Sequence, residues 1–255
     1  MSRPSNGNTR KPGQEPPREM PMRFYKSVAV AQGGVGSAAF RLLLDGKPVR
    51  TPAKKELALP TRALAEAVAT EWEAQGERID PATMPLTRLA NSIIDGVIAR
   101  QVEVSAEIVK YAGSDLVCYR AESPQELIRR QSEVWDPVLA WARDRHGAAL
   151  AVVDGIMPVP QPPPASQAIA RALEPHGAFD LAAIHVMTTL MGSALLALAH
   201  ADGRLTAEAA WAAAHVDEDW QISQWGEDAE AKTRRDRRWA EMQAASRLLE
   251  LARLG

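Results

Sequence analysis

Lys54–Gln75 reads KKELALPTRALAEAVATEWEAQ, and a change of period inside it decides the fold. Through Pro60 the stretch reads as a short strand. From Thr61 the period becomes helical: Leu64, Val68 and Trp72 recur every four residues. Thr61 is placed to cap the helix and Gly76 to end it. Upstream, RFYKSVAVAQ and FRLLLDGKPVRTP read as further strands, and Asp45-Gly46 is a two-residue hairpin signal because both positions tolerate positive φ. Gly33, Gly34 and Gly36 mark a looser turn. The expectation is an α+β chain: a disordered, proline-rich tail over 1–20, a small antiparallel β-rich domain over 21–60, and a larger, mainly α-helical domain over 61–255.

Downstream of Pro60 the pattern stays helical. One helix starts near Thr87 and carries Leu89, Ile93, Ile94, Val97 and Ile98; another runs to about Tyr111. Ser123 opens SPQE, a capping box with proline at the first helical position and Glu126 at the third. Asp136-Pro137 either ends that helix or kinks it, since proline lacks a backbone N–H. Gly147 is the next stop, and AALAVVDGIMPVPQPPP reads as a short strand running into a proline-rich linker. Helices are then expected over Gln167 to Glu174, Leu181 to Ala199 and Ala207 to Gln224. Gly226 interrupts, and a last helix runs to Leu254. Leu181–Ala199 has the length of a membrane span, but its Ala content, His185, Thr188, Thr189 and Ser193 suit the buried centre of a helical domain better.

Composition excludes several function classes. The formal net charge of −2 gives no global pull toward nucleic acid or an anionic membrane. Cys118 is the single cysteine, so an internal disulfide or a cysteine-rich zinc site is ruled out. The first twenty residues lack the apolar core of a secretory signal. Gly34-Val35-Gly36 has no following Lys-Ser/Thr and sits between strands, so it reads as a turn and not a phosphate loop. Neither Ser114 nor Ser193 has a nucleophile-elbow context. Cys118, between Val117 and Tyr119, reads as a small buried residue.

The densest chemistry lies in DEDWQISQWGEDAEA, Asp217–Ala231, with six carboxylates and two tryptophans. Trp211, His215, Glu218, Ile222 and Trp225 follow steps of four, three, four and three, one stripe of a continuous helix. His215 and Glu218 have metal-like spacing, yet no second such pair exists for a di-iron site. A metal-assisted hydrolase built on this acidic cluster is the alternative function. Solvated faces and helix capping account for the same acids without any chemistry: Glu227 and Asp228 precede the last helix, and its KTRRDRR run can pair with them.

The segments RFYKSVAV, FRLLLDGKPVRTPAKKELALP, AVATEWEAQGERIDPATMPLTRLANSIID, YAGSDLVCYRA, QSEVWDPVLAWA and EDWQISQWGEDAEA, in this order, give the chain a second reading. It resembles the ATP synthase assembly chaperones of the Atp-twelve family. The resemblance implies a small β-rich N-terminal domain before a helical one. It implies no catalysis and no cofactor. It implies binding of the unassembled alpha subunit, whose beta-facing surface is shielded until beta replaces the chaperone. In this sequence the matching C-terminal residues are Glu218, Gln221, Trp225, Gly226, Glu227 and, less closely, Asp228. Glu218 is either a contact to alpha or a brace between the C-terminal helices. The free chain is expected to be a monomer in a bacterial cytoplasm, with the mitochondrial matrix as the alternative.

Overall fold

The structure, a computed structural model, describes residues 20–33 and 39–254. The expected tail, except Met20, and the Gly34–Gly36 part of the turn lie outside the described residues.

Strands β1 (Val28–Gln32), β2 (Phe40–Leu44), β3 (Lys47–Pro48) and β4 (Ala58–Leu59) form one antiparallel sheet in which β1, β3 and β4 all pair with β2. Val28 faces Leu44, Leu44 faces Lys47, and Phe40 faces Leu59. Asp45 and Gly46 take φ of 48° and 77°, the left-handed pair that this hairpin turn requires. The Asp45 carboxylate also accepts from the backbone N–H groups of Lys26 and Ser27, and these hydrogen bonds hold its pKa below the usual aspartate range.

Helix α1 (Arg62–Glu73) then packs on β1 and β2. Thr61 caps it as expected, accepting from the Leu64 N–H at 3.2 Å. The same hydroxyl donates to the Leu251 carbonyl at 2.6 Å, tying the start of the helical part to the last helix of the chain. Glu71 points from α1 into the start of α2 (Pro85–Ser92), where its carboxylate accepts from the N–H groups of Leu86 and Thr87. Helix α3 (Gln101–Ala112) follows, then β5 (Tyr119–Arg120).

Helix α4 (Gln125–His146) decides against a break at Pro137: a single helix continues through it. Proline removes one helical hydrogen bond at a cost of about 3 kcal/mol. Burial of Trp135 and Val138 on either side offsets it, and the Trp135 indole N–H donates to the Ala213 carbonyl at 2.7 Å. The capping box does not form. Ser123-Pro124 is cis, the helix starts at Gln125, and Glu126 turns outward to Arg129 and Arg130.

Strand β6 (Val153–Asp154) lies parallel to β5, and α5 (Pro163–Leu173) follows the proline-rich stretch. The long apolar segment is not one helix. It forms α6 (Ala178–Met191) and α7 (Ala194–Ala201), broken at Gly192, whose φ of 67° ends α6, and at Ser193, whose hydroxyl caps α7 by accepting from Leu196 N–H. These two helices are the centre of the core, which is continuous from Leu42 in the sheet to Leu251. Among the described residues no helix is long and apolar enough to cross a membrane.

The expected helix from Ala207 to Gln224 is also two: α8 (Ala207–Ala214) and α9 (Val216–Trp225), with α10 (Ala229–Ala252) beyond Gly226. His215 makes the break. Its backbone N–H bonds Ala212 O, and its imidazole Nδ1–H bonds the Trp211 carbonyl at 2.7 Å, so a side chain satisfies a carbonyl that a continuous helix would have used.

Candidate functional site

The break at His215 rearranges the residues that the sequence places on one stripe. Trp211 and His215 are buried, with the Trp211 ring against Trp239, whereas Trp225 is 75% exposed at the far end of α9. The Trp220 ring meets Trp225 edge to face with centroids 5.6 Å apart, which fixes the exposed indole without covering it.

Gly226 turns the chain from α9 into α10 at φ 87°, ψ 171°, a conformation nearly confined to glycine. Asp228 then caps α10, its carboxylate accepting from Ala231 N–H at 2.8 Å. This turn folds the end of α9 against the start of α10 and leaves a cleft of about 260 Å³ between them. Glu218, Gln221, Trp225, Gly226, Glu227 and Asp228 all line it, so the six residues singled out in the sequence come together. Ile222, Lys232 and Arg235 line it too, and the sequence reading did not single them out for the site. Their signal was spacing: Ile222 lies three residues before Trp225, and Lys232 four after Asp228.

The acids do not converge on one point. Asp217 accepts from Gln131 on α4 at 2.7 Å. Asp219 pairs with Arg235 at 2.5 Å, raising the guanidinium pKa, and Glu227 lies 3.7 Å from Lys232. Asp228 serves α10. Glu218 and Glu230 remain: Glu230 lies in the first turn of α10 and does not line the cleft, whereas Glu218 does, half-exposed, with its carboxylate 3.8 Å from His215 Nε2. That contact is not an ion pair at neutral pH. Nδ1 carries the imidazole proton, and burial lowers the His215 pKa, so Nε2 is unprotonated there. Glu218 therefore presents a carboxylate to the cleft with no hydrogen bond to the rest of the fold among the described residues. Among those residues no group of three or more His, Cys, Asp or Glu side chains could hold a metal ion.

Of the residues weighed as nucleophiles, Ser114 is exposed after α3, and Ser193 and Cys118 are structural. Ser193 is buried at the cap of α7. Cys118 is buried, and desolvation, with Asp115 beside it, pushes its thiol pKa up to about 12, far from a reactive thiolate. Asp115 is fully buried. It accepts from Leu195 N–H at 3.0 Å and Val117 N–H at 3.3 Å, joining the turn after α3 to the start of α7, and desolvation pushes its pKa up to about 6.

A small antiparallel sheet on a larger helical body is an architecture that solved chaperone structures share. The family model for the ATP12 chaperone protein matches residues 22–143. The crystal structure of Atp12 from Paracoccus denitrificans superposes with a TM-score of 0.86 at 41% identity, covering 91% of this chain and 98% of that one. A point mutant of the same Paracoccus protein matches equally well at 40% identity. A protein of Agrobacterium tumefaciens described as a candidate chaperone is 50% identical, with a TM-score of 0.86, covering 91% of this chain and 86% of that one. The chain belongs to the ATP12 chaperone family.

Proposed function

We propose that this protein is an assembly chaperone for the catalytic sector of the F-type ATP synthase, that its client is the unassembled alpha subunit, and that the cleft between α9 and α10 is part of the site that holds it. One observation supports this reading most: Glu218, a carboxylate with no hydrogen bond among the described residues, stands in the same cleft as the three-quarters-exposed Trp225. A half-exposed carboxylate with no hydrogen bond among the described residues contributes little to its own fold, but it forms charge-assisted hydrogen bonds to a client's arginine or backbone N–H groups. A rigid indole held by Trp220 supplies apolar contact at low entropic cost. Gln221, Glu227 and Asp228 form the polar rim, and Gly226 sets the angle between the two helices. The chaperone shields the alpha surface that later meets beta, and beta displaces it. The chain acts as a monomer, in a bacterial cytoplasm.

The test is co-expression with the alpha subunit of the same organism, without beta. Soluble alpha that co-purifies one to one and is released by added beta is the expected result. Alpha that stays insoluble, with nothing co-purifying, refutes the reading.

A further inference from the structure

A second and larger cleft, about 670 Å³, opens on the other side of the first turn of α9, and Leu116, Arg120, Glu122, Gln131, Ile156 and Asp217 are among its walls. Its lip is the loop after β6. That loop is held in shape. The Gly155 N–H donates to the Arg120 carbonyl at 2.8 Å. Gly155 has φ 82°, and a Cβ there would lie 3.4 Å from the Glu122 carboxyl group, so the loop and the acid are in close approach. At the base of the loop, Ala151 N–H donates to Gln161 Oε1 at 2.7 Å and Gln161 Nε2 donates to Ala151 O at 3.0 Å. Pro158 and Pro160 further restrict the backbone between these ties.

On this fastened loop Ile156 is 91% exposed and Met157 75%, with Val152 and Val159 also exposed. Four large apolar side chains are thus exposed within eight residues, and concentrated exposed apolar surface marks interaction sites. Because the loop is preorganised, ordering it on binding costs little.

Charge selects what the cleft takes. Arg120 is buried over the Trp135 ring and its Nη2 pairs with Asp136 at 2.8 Å, while its Nε and Nη1 have no hydrogen-bond partner among the described residues and are left to bond a backbone carbonyl of a bound segment. Glu122 and Asp217 have no cationic partner among the described residues; Asp217 has only the Gln131 amide. The cleft is acidic with an apolar lip.

We infer that this cleft and its lip are a second client-binding arm, which takes a polypeptide segment carrying lysine or arginine beside large apolar side chains. The inference rests on the function proposed above. Asp217 and Glu218 are neighbours on α9, each facing one cleft, so a single client grips both sides of that helix.

The experiment is co-purification of the alpha subunit with the full chain and three variants: Ile156→Asp with Met157→Asp, Glu122→Lys, and Glu218→Lys. The loop pair is expected to lower captured alpha by about tenfold or more, as loss of an apolar anchor does. Glu122→Lys is expected to lower it several-fold, as a charge reversal against a basic segment. Both variants keep the wild-type melting temperature, since the changed side chains are exposed. Full capture by the loop pair and by Glu122→Lys, alongside loss in Glu218→Lys, overturns this inference and leaves the function standing. A wild-type chain that captures no alpha overturns both. Dimerisation of the wild type that the loop pair abolishes, with capture unaffected, assigns the lip to a second copy of the chain and also overturns it.

Discussion

Glu218→Gln separates a client contact from a structural brace, because the two roles predict opposite measurements. Within the fold the side chain is half-exposed, its nearest ionisable neighbour is a neutral imidazole at 3.8 Å, and its remaining pull is on Arg235, which already pairs with Asp219. Exposed pairs of this kind contribute about 0–1 kcal/mol. At about 2–4 °C per kcal/mol for a chain of this size, the melting temperature should fall by less than about 4 °C. A charge-assisted hydrogen bond to a client contributes about 1.5–3 kcal/mol. Its loss weakens binding by about 10- to 150-fold. The assay is a thermal melt of the purified variant beside a titration of its binding to alpha. A melting temperature lowered by 10 °C or so would make Glu218 a brace. Unchanged affinity in a folded variant would remove it from the client surface.

Three further outcomes are expected. Asp115 binds its proton more tightly folded than unfolded, with a pKa near 6 against an ordinary value of 3.8. Between those pH values the folded chain binds more protons, so this group's contribution to stability falls as pH rises, by up to about 3 kcal/mol. Urea unfolding of wild type and Asp115→Asn from pH 4 to 7 should show that slope only in the wild type; parallel curves refute it. Gly226→Ala meets no atom within 4 Å, so its cost is backbone strain alone, about 1–3 kcal/mol. It should reduce alpha capture more than it lowers the melting temperature, because it turns α9 and α10 relative to each other. Trp135→Phe leaves the Ala213 carbonyl buried without its donor, at a cost of about 1–3 kcal/mol, readable by calorimetry; an unchanged melting temperature counts against that hydrogen bond.

Much of the fold was legible because its signals are local. Asp45-Gly46 needs only two residues with positive φ to close a hairpin, Thr61 needs only the N–H three residues on, and Gly147 ends α4 by the left-handed conformation that glycine permits. The break at Gly192-Ser193 was written in the same terms, a glycine stop followed by a serine cap, but the unbroken apolar run around it concealed the pair.

Other features depend on partners far along the chain. Nothing near Pro137 shows that the helix continues through it; the buried Trp135, bonded to Ala213, decides that. The break at His215 has no glycine or proline to announce it, and it exists because an imidazole in the core can reach the Trp211 carbonyl. The candidate site divides the same way. Its residue types and spacing are in the sequence, yet six neighbouring carboxylates have different fates because of what packs against each: Gln131 for Asp217, Arg235 for Asp219, a helix start for Asp228. Short-range hydrogen bonds and backbone preferences can be read from the order of residues. Which carboxylate faces a cleft beside an exposed tryptophan, with no hydrogen bond among the described residues, is set by contacts across the fold and belongs to the tertiary structure alone.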